Sequence, residues 1–108
     1  MNKLFSKGTK KKGFRVDENF ENRSIILINK PDVNVLDDEK VMVDFNTGKY
    51  YVVKGVGNDI WDMIYDGVKV GAIVNRLLNI YEVDRRECVE KTAQFLYQLV
   101  EYGFIKLR

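Results

Sequence analysis

The chain has 108 residues, of which 45% are hydrophobic and 31% charged, enough for one domain with one modest core. It has no histidine and a single cysteine, Cys88. This excludes Ser-His-Asp and Cys-His catalytic sets, cysteine-cluster zinc sites and internal disulfides for the chain by itself. The net charge of +2 is uneven, because residues 1–15 hold six basic and no acidic side chains and the remainder holds 12 bases against 16 acids.

Residues 1–13 combine lysine, glycine, serine and threonine with two large apolar residues, Leu4 and Phe5. That composition predicts a flexible, solvated basic tail, although such a charge run also suits nucleic acid or an acidic surface. No apolar run approaches the ~18 residues that span a bilayer, and no apolar signal stretch follows the basic start. The expectation is a soluble cytoplasmic protein without membrane contact. Residues 14–32 form an N-terminal extension in which Ser24–Asn29 is rich in β-formers and ends at the turn signal Lys30-Pro31-Asp32. The Ile25–Ile28 run is a candidate extra strand.

Val33 and Val35 then mark a short strand, broken by Asp37-Asp38-Glu39. In the next strand, Lys40–Phe45, Val41 and Val43 point one way and Met42 and Asp44 the other. Asn46-Thr47-Gly48-Lys49 is a hairpin connection in which Gly48 supplies a positive φ. Tyr50–Lys54 returns, with Tyr51 and Val53 on one face and Tyr50 and Val52 on the other.

Three amphipathic helices follow. The first covers about 56–65, with Val56, Ile60, Met63 and Ile64 at helical spacing, and stops at Asp66-Gly67. The second covers about 69–81 with the stripe Val70, Ile73, Val74, Leu77, Leu78 and Tyr81. The third begins at Asp84 as N-cap with Glu87 three residues on, carries Cys88, Thr92, Phe95, Leu96, Leu99 and Val100, and closes at Gly103. Phe104–Leu107 fits a short terminal strand. Strands followed by helices argue for an α+β fold.

Each residue that suggests chemistry also has a plainer reading. Cys88 lies on the apolar stripe of the third helix and reads as a small hydrophobe, since no histidine exists to activate it. Asp37, Asp38, Glu39 and Asp44 lack the spacing of a calcium loop and read as a solvated turn. Gly55-Val56-Gly57 does not complete a G-x-G-x-x-G series, because Ile60 stands at the third position. No metal and no cofactor is expected. Trp61, Ile60 and Ile64 are core anchors. Tyr50, Val52 and Lys54 share the face turned away from the helices, where they are either surface β-formers or contacts for a partner. Val89, Ala93 and Tyr97 form a second, semi-apolar strip on the third helix, either a wider core-facing surface or the wall of a groove.

Taken in order, Asp44, Thr47-Gly48-Lys49-Tyr50-Tyr51, Gly57, Ile60-Trp61, Asp66-Gly67, Tyr81 with Val83-Asp84, Phe95-Leu96, Leu99 and Gly103-Phe104-Ile105 resemble the PqqD family of peptide-modification chaperones, the precursor recognition elements of ribosomally made, modified peptides. The resemblance spans about 33–106, so that 33–108 is the PqqD-like domain, and it is strongest to the stand-alone members of lasso-peptide biosynthesis. Val53-Lys54 departs from the family's usual Leu-Asn, so the cap of the first helix must come from elsewhere. The tail and Ser24–Asn29 lie upstream of the family's usual start.

The resemblance implies a winged-helix-like fold, an antiparallel sheet of three to four strands followed by a three-helix bundle. It also implies a non-enzymatic function, binding the leader segment of a precursor peptide by strand addition on Tyr50, Tyr51, Val52, Val53 and Lys54. Leader side chains would enter a groove against Val89, Ala93, Leu96 and Tyr97 of the third helix, with Lys54, Arg85 and Arg86 pairing to leader acids. The partners implied are the precursor leader and separate modifying enzymes, a leader protease and a cyclase. A winged-helix DNA-binding protein is the competing reading, disfavoured because the third helix mixes Arg85, Arg86 and Lys91 with Glu87, Glu90 and Glu101. A homodimer paired through Ile25–Ile28 is another, and that segment is also a candidate rival for the Tyr50–Lys54 edge.

Overall fold

The computed structural model describes residues 2–3, 16–37 and 39–108. The strands are β1 (Asn2–Lys3), β2 (Ser24–Leu27), β3 (Asp32–Leu36), β4 (Glu39–Asp44), β5 (Lys49–Val53), β6 (Val68–Lys69) and β7 (Ile105–Leu107). The helices are α1 (Val56–Met63), α2 (Val70–Ile80) and α3 (Arg85–Glu101), with a 3-10 turn at Phe20–Asn22. They form an α+β fold, as the strand-then-helix order predicts, and it is winged-helix-like, as the resemblance implies.

Two sheets flank the helices. The first has the order β1-β5-β4-β3, with β3, β4 and β5 antiparallel and β1 parallel to β5. The register sets Met42 opposite Tyr51, Lys40 opposite Val53 and Val41 opposite Val52. Directly opposed residues share a face, so Met42, Tyr51 and Val53 point to the helices, where all three are buried. The turn between β4 and β5 is built by Asp44. Its carboxylate accepts from the Asn46 amide at 2.9 Å while its carbonyl accepts from the Gly48 amide at 2.8 Å. Gly48 takes φ 75° there, a region that suits a residue without Cβ. Asp44 is buried and thus a hairpin organiser, in contrast to the solvated turn acid expected for it.

The second sheet has the order β6-β2-β7, antiparallel throughout. This corrects the expectation for Ile25–Ile28. Residues Ser24–Leu27 form a central strand with neighbours on both sides, Ser24 exchanges main-chain bonds of 3.1 and 2.9 Å with Arg108, and Ile25 is fully buried. A strand paired on both edges offers no ladder to another copy and cannot compete for β5. Outside the sheets, the Phe20 ring is buried and stacks on Tyr97 at 5.9 Å.

Local signals account for the helix ends. Asp84 accepts from the Glu87 amide at 2.8 Å, the expected N-cap bond of α3. Gly103 at φ 83° and the Phe104 amide bonded to the Leu99 carbonyl at 3.0 Å close α3 in a Schellman arrangement. α1 starts without any side-chain cap. Gly55, at φ 60° and ψ −134°, makes the turn into the helix. Its carbonyl accepts from the Asn58 amide at 3.0 Å.

Candidate functional site

The seam between β5 and α3 is where strand edge and helix meet. The Tyr51 ring stacks on Tyr102, just past the end of α3, with centroids 4.0 Å apart, and meets Phe104 edge-on at 5.9 Å. Two residues further along β5, Val53 comes close to Phe95. Both crowd Gly57, where an added Cβ would stand 3.0 Å from Val53 Cγ1 and 3.1 Å from Phe95 Cε1. β5 and α3 therefore run in opposite senses, Tyr51 beside Tyr102 and Val53 beside Phe95. Where α2 gives way to α3, a cavity of about 270 Å³ is lined by Val56, Leu77, Tyr81, Val83, Cys88 and Lys91 among others.

The electrostatics of the seam are mild. Burial first, then the neighbouring Tyr102, Asp44 and Glu101, pushes the Tyr51 phenol above its ordinary value. The Tyr81 hydroxyl donates to Asp59, and that bond raises its pKa. Burial raises the Cys88 thiol more than Thr92 and Arg85 lower it, and its sulfur donates to the Val74 carbonyl at 3.8 Å. Burial of this kind disfavours the reactive thiolate. Among the described residues no group of histidine, cysteine and carboxylate side chains could hold a metal, and no helix is long and apolar enough to cross a membrane.

The residues singled out from the sequence fall into three places. Tyr51, Val52 and Val53 are buried on β5 and Tyr50 is 49% exposed. Val52 lies on the face away from the helices and outside the main core cluster, yet is only 4% exposed. Val89, Ala93 and Leu96 are buried inside the core, and Tyr97 lies under Phe20. That strip is therefore the wider core-facing surface, and the flank of α3 that meets β5 carries Phe95 and Tyr102. Lys54 pairs with Glu39 at 2.8 Å, and Arg85 pairs with Glu21 at 2.5 Å and donates to Asn75 at 2.6 Å. Arg86 is exposed.

Sequence reasoning missed Phe95 and Tyr102 as seam residues because a single helical stripe does not say which neighbour each part of it meets. It also missed β1. Residues 1–13 are expected to be flexible. Of that segment the structure describes Asn2 and Lys3, which pair in parallel with Tyr51 and Val52, and the rest lies outside the described residues.

Among known proteins, the family model of coenzyme PQQ synthesis protein D (PqqD) matches residues 39–105. A solved structure described as "TbiB1 in Complex with the TbiA(beta) Leader Peptide" matches with a TM-score of 0.67 and 26% identity, covering 75% of this chain and 94% of that one. No curated protein matches.

Proposed function

Because the chain belongs to the PqqD family, we propose that it binds the leader segment of a ribosomally synthesised precursor peptide, without catalysis, as a strand added to β5. The observation that carries this reading is the seam itself. β5 is the outer strand of the three-stranded antiparallel ladder, and its inner face is packed on one flank of α3. The likeness to a structure that contains a leader peptide supports it.

Strand addition suits this geometry. The outer side of an edge strand offers N–H and C=O groups in a fixed row, and an extended peptide satisfies them with little demand on its sequence. Selectivity then comes from apolar leader side chains packing on the rim of the seam, where Tyr50 is exposed and Tyr102 half-buried. Micromolar binding needs about −8 kcal/mol net, and ordering a flexible leader offsets much of the contact energy, so main-chain bonds need such anchors. Lys54 and Arg85 meet leader acids by exchanging their present partners Glu39 and Glu21, a small net gain at exposed positions. Arg86 is available on the same terms. Val89, Ala93, Leu96 and Tyr97 support the helix from behind the seam.

The bound precursor is then presented, in the cytoplasm, to separate enzymes, a leader protease and a cyclase. The absence of histidine and the buried Cys88 are in keeping with that division of labour. Titration of isotope-labelled protein with a leader peptide tests the site. Amide shifts are expected along residues 49–54 and on the Phe95–Tyr102 flank. Binding that leaves those amides unmoved refutes the assignment.

A further inference from the structure

The proposed acceptor edge is already engaged within the chain. Asn2 aligns with Tyr51 and Lys3 with Val52, in parallel, on the side of β5 away from β4. We propose that residues 2–3 act as an internal occupant of the β5 edge, so that any peptide adding a strand there must first displace them. This deepens the leader-binding reading and rests on it only for the identity of the competitor.

The contact has the properties of a displaceable cover. It is two residues long, whereas β5 has five, Lys49–Val53. Parallel pairing is slightly weaker per residue than antiparallel, and each main-chain bond adds little net of what water provides. An incoming strand that runs the length of β5 forms more bonds than it breaks. In the closed form, the cover shields part of an otherwise open edge, which is the usual remedy for unwanted edge-to-edge association. For such a ladder a closing constant on the order of 3 to 10 is expected, and apparent affinity for any competitor falls by nearly the same factor, because only the open fraction binds.

The test compares the full chain with a full-length Asn2→Pro/Lys3→Pro variant, which lacks the two amide donors of β1. Two quantities are measured at the same protein concentration: hydrogen exchange of the edge-facing β5 amides, and affinity for the TbiA(beta) leader peptide as probe. Unchanged exchange of α2 amides verifies that the variant is folded. The expected result is β5 edge exchange faster by about three- to tenfold in the variant, and probe binding tighter by the same factor, since one equilibrium governs both. Equal exchange rates in the two proteins overturn the proposal whatever the probe does. Faster exchange with identical probe affinity at the β5 edge refutes the competition. Protection that rises with protein concentration assigns the contact to a second copy and overturns the internal version. If neither protein binds the probe, the leader-binding reading fails for that peptide, and the exchange data still decide whether residues 2–3 cover the edge.

Discussion

Gly57→Ala tests whether β5 and α3 are in the tight contact on which the seam depends. Two effects oppose each other. Alanine in a helix is favoured over glycine by up to ~1 kcal/mol, and less at the second residue of α1, where the helix has scarcely begun. Against this, the new Cβ would lie 3.0 Å from Val53 Cγ1 and 3.1 and 3.3 Å from two atoms of the Phe95 ring, where carbon atoms settle at about 3.5–4.0 Å. Val53 and Phe95 are fully buried, so neither turns aside into solvent. Inserting a methyl into such a site costs about 1–3 kcal/mol. The crowding term therefore exceeds the propensity term, and a net loss of about 1–2 kcal/mol is expected. Urea unfolding reads this directly. With a slope of about 1–3 kcal/mol/M for a small domain, the midpoint should fall by roughly 0.5–1 M. Leader affinity should fall too, because Val53 and Phe95 move apart. A midpoint equal to or above that of the parent chain would refute the close approach of β5 to α3.

Three further outcomes follow from the geometry. Phe20→Ala, which empties a buried site over Tyr97, should destabilise the whole domain by about 3–5 kcal/mol with an unchanged urea slope. A reduced slope would mean that the extension comes away separately. The raised pKa values of Tyr51, Tyr81 and Cys88 contribute stability that is fully present below the ordinary values of 10.0 for tyrosine and 9.0 for the thiol. That stability is lost as pH rises through the higher folded values. Thermal melts should therefore fall above about pH 9, with a smaller fall for Tyr51→Phe. An identical alkaline limb in that variant counts against burial of the phenol. Asp66→Ala removes the carboxylate that accepts from the Leu27 amide at 2.8 Å and should cost about 1 kcal/mol. Urea midpoints check this, and no loss implies that water replaces the bond.

The legible parts of this protein are those written in local periodicity. Alternation in 41–44 and 50–53 placed Met42, Tyr51 and Val53 on one face, the stripe from Val70 to Leu77 placed α2, and Asp84 and Gly103 marked the ends of α3. In each case the signal and the structure it specifies lie within a few residues of one another. The lack of histidine likewise excluded Ser-His-Asp and Cys-His sets within this chain before any fold was known, and the place of Cys88 on an apolar stripe foretold its burial. Contacts between distant segments were not legible. Ser24–Leu27 reads as a strand but does not name β6 and β7 as its partners, because main-chain pairing is indifferent to most side chains. α3 carries an apolar arc broad enough for several neighbours, so its sequence does not tell which flank meets β5 and which lies under Phe20. Nor does a lysine-rich tail disclose that Asn2 and Lys3 pair with Tyr51 and Val52. The sequence by itself determined the main strands and helices, the two ends of α3 and the exclusion of histidine-based catalytic sets. Tertiary structure alone decided which edge faces which helix, and that residues of the same chain stand at that edge, because pairing over such distances depends on how the entire core closes.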